Sequence, residues 1–507
     1  MSYQLYTGVW EVTMACNMRC KHCGSSCMEK LPGELDTKRA LHLCDELGEL
    51  GMEYITLSGG EPTLRADLFQ IITSLRENNI IPNIITNGWN ITEEFVLNLK
   101  NAGIGTVAIS IDGLEATHDY IRRPGSFLRS MNAFHLLSKN NVYTAAITTV
   151  NKKNLPELNL LKEVLIEHDV NSWQIQIGLP MGNMLKNDFL VTEPSDMSKV
   201  VDFAYNNLND NRIRISFGDC IGYYDMKYQK VMEKAKENNT YLWQGCGAGK
   251  TSLGILHNGD ILGCTSIREK EFIEGNICEK PLKAIWENEL NFSWNRNLTK
   301  EKLTGFCGQC RYGDLCLGGC SNTRLTMEKD IYQSNRYCLY FQTIEKEIDK
   351  LAKYNNFNDL ILTAKELVKL TKYQSAQLVL ERALEIEENN LEALKLYAFV
   401  NYQLQNYTIA KKINEEALEK NPYDSYLHKG FGLTLHKLGE IKKGIDHLYK
   451  AIGLCDENYL DPYYDCAVTL LDNNNEQEAI DILQKARNVS GKFYEEHQEI
   501  YEQLGIA

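Results

Sequence analysis

The chain has 507 residues, and 54 Lys and Arg against 68 Asp and Glu leave a net charge of −14. That balance excludes a non-specific polyanion binder, whose affinity comes from cations neutralising phosphates. Apolar residues at 43% and charged residues at 24% suit a globular chain. No apolar run approaches the ~20 residues of a membrane span, and the first residues lack the basic and apolar regions of a signal peptide. The expectation is a cytoplasmic protein that binds neither nucleic acid nor membrane.

At ~150 residues per domain the length suggests roughly three domains, and three textures follow one another along the chain. Residues 1–225 alternate strands and helices. Apolar and β-branched runs occur at Val9–Val12, Ile55–Leu57, Ile80–Ile85, Val107–Ile111, Ala145–Val150 and Trp173–Ile177. Most end in turn residues such as Ser58-Gly59-Gly60, Asn87-Gly88 and Asp112-Gly113. Between them, Ala40, Leu43, Cys44 and Leu47 recur at i, i+3, i+4 and i+7, one face of a helix. Repeated βαβ units form a parallel sheet with its chemistry at the C-terminal ends of the strands. Residues 226–345 are rich in Cys, Gly, Trp and Asn, with short strands at Thr251–Leu256 and Asp260–Leu262. So irregular a segment needs bound metal in place of a large apolar core. Residues 346–507 are helical and repetitive. Ala383, Ala417, Ala451 and Ala486 share one phase, Ala364, Ala398, Gly432 and Ala467 a second, and Ala376, Ala410, Gly444 and Ala479 a third. Their spacing of about 34 residues is the tetratricopeptide period, which predicts four degenerate repeats stacked as a solenoid.

Sixteen cysteines point to metal or redox chemistry, because a reducing cytosol does not sustain structural disulfides. Cys16, Cys20 and Cys23 form a CxxxCxxC loop after the first strand. Three thiolates on a short loop can bind three irons of a [4Fe–4S] cluster and leave one iron open. Zinc with His22 or Cys27 as fourth ligand is the competing reading. The loop, with Ser58-Gly59-Gly60-Glu61-Pro62 after the second strand and Ser110-Ile111-Asp112-Gly113 after the fourth, resembles the radical S-adenosylmethionine enzymes. The resemblance implies a partial parallel (β/α) barrel whose open iron binds the cofactor's amino and carboxylate groups. It implies cofactor contacts at Gly59, Gly60, Glu61, Asn87, Ser110, Asp112 and Arg122. It also implies hydrogen abstraction by a 5′-deoxyadenosyl radical, with electrons from a donor such as flavodoxin or ferredoxin.

Cys246-x12-Gly259-x4-Cys264, Cys307-x2-Cys310-x5-Cys316-x3-Cys320 and Cys338 follow. This series resembles the SPASM domain, which carries two auxiliary iron–sulfur clusters. The resemblance implies an outer cluster on Cys307, Cys310, Cys316 and Cys338, and an inner one on Cys246, Cys264 and Cys320. The inner set is one ligand short; Cys220, Cys278, a non-Cys ligand, water or a substrate thiolate could complete it. Cys220 and Cys278 are also candidate hydrogen-atom donors for an epimerase, and no catalytic acid or base is assigned. A phosphate-loop reading of residues 244–251 fails, because Gln244 stands where glycine is required. Cys44, Cys455 and Cys466 read as packing residues, and Cys27 as a neighbour of the cluster ligands.

The resemblance implies a peptide or protein substrate, because relatives with this domain pair mostly modify those. The expectation is a maturase that crosslinks a ribosomally made peptide through a thioether or carbon–carbon bond. Epimerisation and formylglycine formation in sulfatases are the alternatives, and a non-catalytic scaffold a remote one. Thr265 after Cys264, where the sulfatase-maturing branch carries Asp, lowers the formylglycine reading. The loop begins at Cys16, which leaves no room for an N-terminal recognition domain, so the repeats are expected to take the peptide.

Overall fold

The computed structural model describes residues 3–218, 220–237, 240–351 and 356–506. The chain divides into two compact units, residues 1–342 and 343–507. In the first, strands β1 (Thr7–Thr13), β2 (Tyr54–Gly59), β3 (Ile81–Thr86), β4 (Val107–Ser110), β5 (Thr144–Val150), β6 (Ser172–Ile177) and β7 (Arg214–Phe217) lie side by side in chain order. Every neighbouring pair among them is parallel. The first five crossovers carry helices α1 (Thr37–Glu49), α2 (Leu68–Glu77), α3 (Glu93–Ala102), α4 (Glu115–Ile121), α5 (Ser126–Lys139) and α6 (Leu158–Glu167). A strand order that never reverses, joined by right-handed crossovers, puts all helices on one face and curls the sheet into a partial barrel.

Local sequence sets these elements. Asp36 caps α1 by accepting from the Arg39 N–H, and Ala40, Leu43, Cys44 and Leu47 are the buried face. In α3, Thr92 caps, Glu93 and Glu94 oppose the positive end, and Gly103 closes the helix at φ 90°. Trp10 and Trp173 are the largest apolar side chains in the core, and the Trp173 indole donates to Thr148 Oγ1 at 2.8 Å.

The Cys-rich segment does not stand apart from this sheet. Strand β8 (Ser252–Ile255) pairs parallel to β1, and β9 (Asp260–Leu262) and β10 (Gly275–Asn276) follow it antiparallel, making ten strands. Neither this extension nor β7 was expected from the pattern of residues. β7 is only four residues long, and the partner that makes β8 a sheet member is some 240 residues earlier in the chain.

The second unit is helical. Helices Phe357–Lys369, Tyr373–Ile386, Leu391–Gln403, Tyr407–Lys420, Ser425–Lys437, Ile441–Leu454, Asp461–Asp472 and Glu476–Val489 pack in consecutive pairs. The residues of all three small-residue phases are buried. At Gly432 and Gly444 the helices approach so closely that a Cβ on either would lie 2.8 Å from the other's carbonyl oxygen. No helix among the described residues is long and apolar enough to cross a membrane.

Candidate functional site

The cysteine loop leaves the end of β1 and is held on every side. The Cys16 N–H donates to Met28 O at 2.9 Å and the Lys21 N–H to Ile121 O at 2.8 Å. Asn183 donates from its side chain to Cys20 O at 3.0 Å and from its backbone to Cys23 O at 2.8 Å. Gly182, at φ 52°, allows this, because a Cβ there would sit 2.4 Å from Gly24 O. Asn183 was missed in the sequence; a polar residue shortly after a strand end is its only signal.

Cys16, Cys20 and Cys23 lie close enough to act on one another's charge. Burial pushes Cys20 up to about 12, whereas the Cys27 thiol, hydrogen-bonded to Cys23, holds Cys23 down at about 5. Cys27 is buried beside the loop and its thiol reaches Gly59 O at 3.6 Å. Thiolates are the ligand form, and three on one loop suit a cluster with one open iron.

The next strand ends converge on this loop. The Gly60 N–H donates to Thr13 O at 2.7 Å and the Glu61 N–H to Ala15 O at 2.8 Å. A Cβ on Gly59 would lie 2.2 Å from Thr13 O, and one on Gly60 would lie 2.1 Å from Ala15 O. The two glycines thus answer first to contact with the strand that carries Cys16. Glu61 is buried and accepts from Thr86 Oγ1 and the Asn87 N–H, both at 2.7 Å. Burial raises its carboxyl, against the pull of those donors. Asn87 in turn donates to Asn17 Oδ1 within the loop at 2.7 Å.

Asp112 is the hub of the site. Fully buried after β4, it takes Arg122 Nε at 2.5 Å and His22 Nε2 at 3.0 Å, and accepts the Thr149 N–H at 2.8 Å. Burial works against its charge, but Arg122 and then His22 outweigh burial and hold the carboxyl well below the usual range. Arg122 Nη1 also lies 3.9 Å from Cys20 Sγ. His118 Nδ1 accepts the Asp112 N–H at 3.0 Å, and burial followed by the Arg122 charge pushes this imidazole down to about 3. Ser110 ends β4, half-buried, two residues before Asp112.

Two further features surround the loop. Arg268, from the Cys-rich segment, pairs with buried Glu11 of β1 and donates to Ser25 Oγ at 2.6 Å, tying that segment to the loop. On the outer side, Arg123 stacks over Trp89 at 4.1 Å while donating to Asn17 O at 3.0 Å. Lys21 and Lys153 flank exposed Tyr120 at 4.9 and 5.0 Å.

In the Cys-rich segment, Cys307, Cys310, Cys316 and Cys338 line one small cavity walled by Tyr224 and Tyr340. Cys246 and Cys320 are neighbours. Cys264 follows Gly263, which packs against Ala248, two residues from Cys246. Cys278 is exposed in a turn after β10 and joins neither group. Among the described residues no three His, Cys, Asp or Glu groups converge tightly enough for a single metal ion. Cysteines around a cluster bind separate irons and need no such convergence. The donor sets therefore fit iron–sulfur clusters by residue type and grouping.

Comparison with known proteins agrees with this chemistry. The family profile of the radical SAM superfamily matches residues 10–164, and that of the SPASM iron–sulfur cluster-binding domain residues 246–311. An AdoMet-dependent heme synthase of Methanosarcina barkeri is 30% identical over 340 residues, 65% of this chain and 95% of that protein. The mycofactocin maturase MftC of Mycobacterium tuberculosis is 28% identical over 314 residues, 61% of this chain and 77% of that one. In fold, the chain resembles Streptococcus suis SuiB bound to S-adenosylmethionine (TM-score 0.54, 18% identity, 66% of this chain and 78% of that one). It also resembles anSMEcpe with bound AdoMet and a peptide (TM-score 0.52, 20% identity, 66% and 93%).

Proposed function

The chain belongs to the radical SAM superfamily and carries a SPASM domain, and from that premise we propose that it is a maturase crosslinking a ribosomally made peptide through a thioether or carbon–carbon bond. The observation that carries the peptide reading is the surplus unit. The match to the heme synthase covers 95% of that enzyme but 65% of this chain, so a unit the size of residues 343–507 is extra to the chemistry. It contains a groove of about 490 Å³ lined by Phe399, Tyr402, Tyr426, Lys429 and Asp465. Aromatic rungs with fixed charges suit a polypeptide. Lys429 lies over Tyr426 and Tyr459 at 5.6 and 5.4 Å and pairs with Asp461 and Asp465 at 3.4 and 3.3 Å. MftC is named a maturase, and SuiB, alike in fold, has been solved bound to a precursor peptide; both support this reading.

In this reading Cys16, Cys20 and Cys23 hold the reducing cluster, Cys307, Cys310, Cys316 and Cys338 the outer auxiliary one, and Cys246, Cys264 and Cys320 the inner. Bound there, S-adenosylmethionine would supply radical hydrogen-abstraction chemistry, with electrons delivered through the first cluster. The chain's own residues position and shield. Glu61, fixed by Thr86 and Asn87, offers a carboxylate to the cofactor's ammonium, with Gly59 and Gly60 beside it. Asp112 fixes Arg122 beside Cys20, and Ser110 precedes it at the strand end. The basic residues Arg19, Lys21, Arg123, Arg129 and Lys153 around the loop suit an acidic electron carrier such as flavodoxin or ferredoxin, by charge complementarity.

A second reading follows from the heme synthase relatives, whose name denotes a tetrapyrrole product. One experiment separates the two. The chain is co-expressed anaerobically in heavy water with short open reading frames flanking its gene, and the peptides are weighed. Loss of two hydrogens per site supports crosslinking, and one deuterium gained per site with no net loss means epimerisation. Unchanged peptides, together with conversion of an added iron porphyrin, would sink the maturase reading. Deletion of residues 356–507 should abolish peptide binding while leaving deoxyadenosine formation.

A further inference from the structure

The segment that follows β7 is anchored in the Cys-rich region, at Cys338 and Cys320. Gly222 and Tyr223 both adopt left-handed backbone, at φ 93° and 73°. For tyrosine this conformation costs of order 1–3 kcal/mol and persists only where surroundings enforce it. They do so here. Gly222 forms a bridge with Cys338, and the Leu339 N–H donates to Gly222 O at 3.3 Å. The Tyr223 hydroxyl accepts the Cys320 N–H at 2.9 Å and the Asn335 amide at 3.2 Å. The Tyr223 ring fills the space beside Gly319, where a Cβ would lie 2.5 Å away. Two residues before this turn stands Cys220, half-buried. The charges that act most on the Cys320 thiol are those of Cys246 and then Cys220, and Cys320 and Cys220 are likewise the charges acting most on Tyr223.

We propose that Cys220 is the fourth protein ligand of the inner auxiliary cluster, completing the set Cys246, Cys264 and Cys320. This rests on the reading that the Cys-rich segment holds two auxiliary clusters. Cys264 belongs with the set through the β8–β9 hairpin: Gly254 pairs with Leu262, and Ala248 bridges Ser252 beside Gly263. Cys278, the competing thiol, is exposed and held in its own turn by Asn276. The assignment changes the chemistry available. A cluster with four cysteine ligands leaves no iron for a substrate thiolate, so a thioether would form without attachment of the substrate to that cluster. It also removes Cys220 as a hydrogen-atom donor.

The test uses the full chain, loaded anaerobically with iron and sulfide and oxidised mildly with ferricyanide. Iron that lacks a cysteine ligand is expelled, leaving a paramagnetic [3Fe–4S] centre that electron paramagnetic resonance counts. With excess S-adenosylmethionine covering the open iron of the first cluster, the wild type should show almost none. Cys220→Ala should gain one such centre per chain. Cys220→Ser, which changes one atom, should keep total iron and show an oxygen-ligated iron by Mössbauer spectroscopy. One centre per chain in the wild type, or no change in either variant, would overturn the assignment. About four irons per chain in place of about 12 would remove both auxiliary clusters, and so fail the underlying reading and not this ligand alone.

Discussion

Replacing Gly60 with alanine puts a methyl group 2.1 Å from Ala15 O and 2.7 Å from Ala15 C, where ordinary contact begins at 3.4 Å. The two backbones must part by more than an ångström. Two hydrogen bonds resist this, Gly60 N–H to Thr13 O at 2.7 Å and Glu61 N–H to Ala15 O at 2.8 Å. Losing both costs about 2 kcal/mol, and overpacking adds about 1–3 kcal/mol, for a destabilisation of about 3–5 kcal/mol. Because Cys16 follows Ala15, the displacement moves a cluster ligand. A shift of about 1 Å in a positioned group costs on the order of 100-fold in rate. The assay is deoxyadenosine formation by anaerobically loaded protein, with iron counted in the same sample. Gly60→Ala should slow cleavage of the cofactor by about 100-fold while retaining the auxiliary iron. Gly439→Ala is the control: at φ 81° and with nothing within 4 Å of its Cβ, it costs only backbone strain of about 1 kcal/mol. Cleavage at close to the wild-type rate by Gly60→Ala would refute the argument from close approach.

Other outcomes follow from the same geometry. Cys16→Ala should abolish deoxyadenosine formation, whereas Cys307→Ala should spare part of it and stop peptide product; equal loss in both would place Cys307 in the first cluster's function. Asp112→Asn leaves the Arg122 guanidinium, 10% exposed, without its carboxylate, and urea unfolding should show a loss of about 3–5 kcal/mol; a loss below about 1 kcal/mol would mean that Arg122 finds another partner. Burial, then the charge of His428, holds His447 down at about 4 from 6.5. The unfolded chain therefore takes up a proton first, and the helical unit should lose stability as pH falls from 6.5 toward 4. The ring is only half-buried, so screening limits this to on the order of 1 kcal/mol, and His447→Gln should flatten the melting temperature across that window.

Much of the candidate site was legible because it follows strands in order. Cys16, Gly59, Asn87, Ser110 and Asp112 each stand at or just after a strand end, and a parallel sheet gathers such positions by construction. The cysteine spacings were equally legible, since a cluster restricts how far apart its ligands stand along a short loop. What the spacing could not supply were partners far along the chain. Asn183 reaches Cys20 and Cys23 from beyond β6. Arg268 crosses to Glu11 and Ser25. Apart from Asn183's place shortly after β6, nothing local to either residue marks it. Arg122, a cofactor contact by the family resemblance, is found paired to Asp112, a contact ten residues apart that depends on how α4 returns over the loop.

The residues themselves determined the element types and their order. Period-two and period-3.6 patterns, caps at Asp36 and Thr92, and small residues at three fixed phases are local properties, and local chemistry is sufficient to read them. The tertiary structure alone decided that β8 joins β1 and extends one continuous sheet, and that Tyr223 is forced into a left-handed turn in which its hydroxyl holds the Cys320 N–H. Those outcomes depend on backbone pairing and packing between segments separated by up to some 240 residues. Such contacts become favourable only once the loops between them are closed, so no window of sequence contains them.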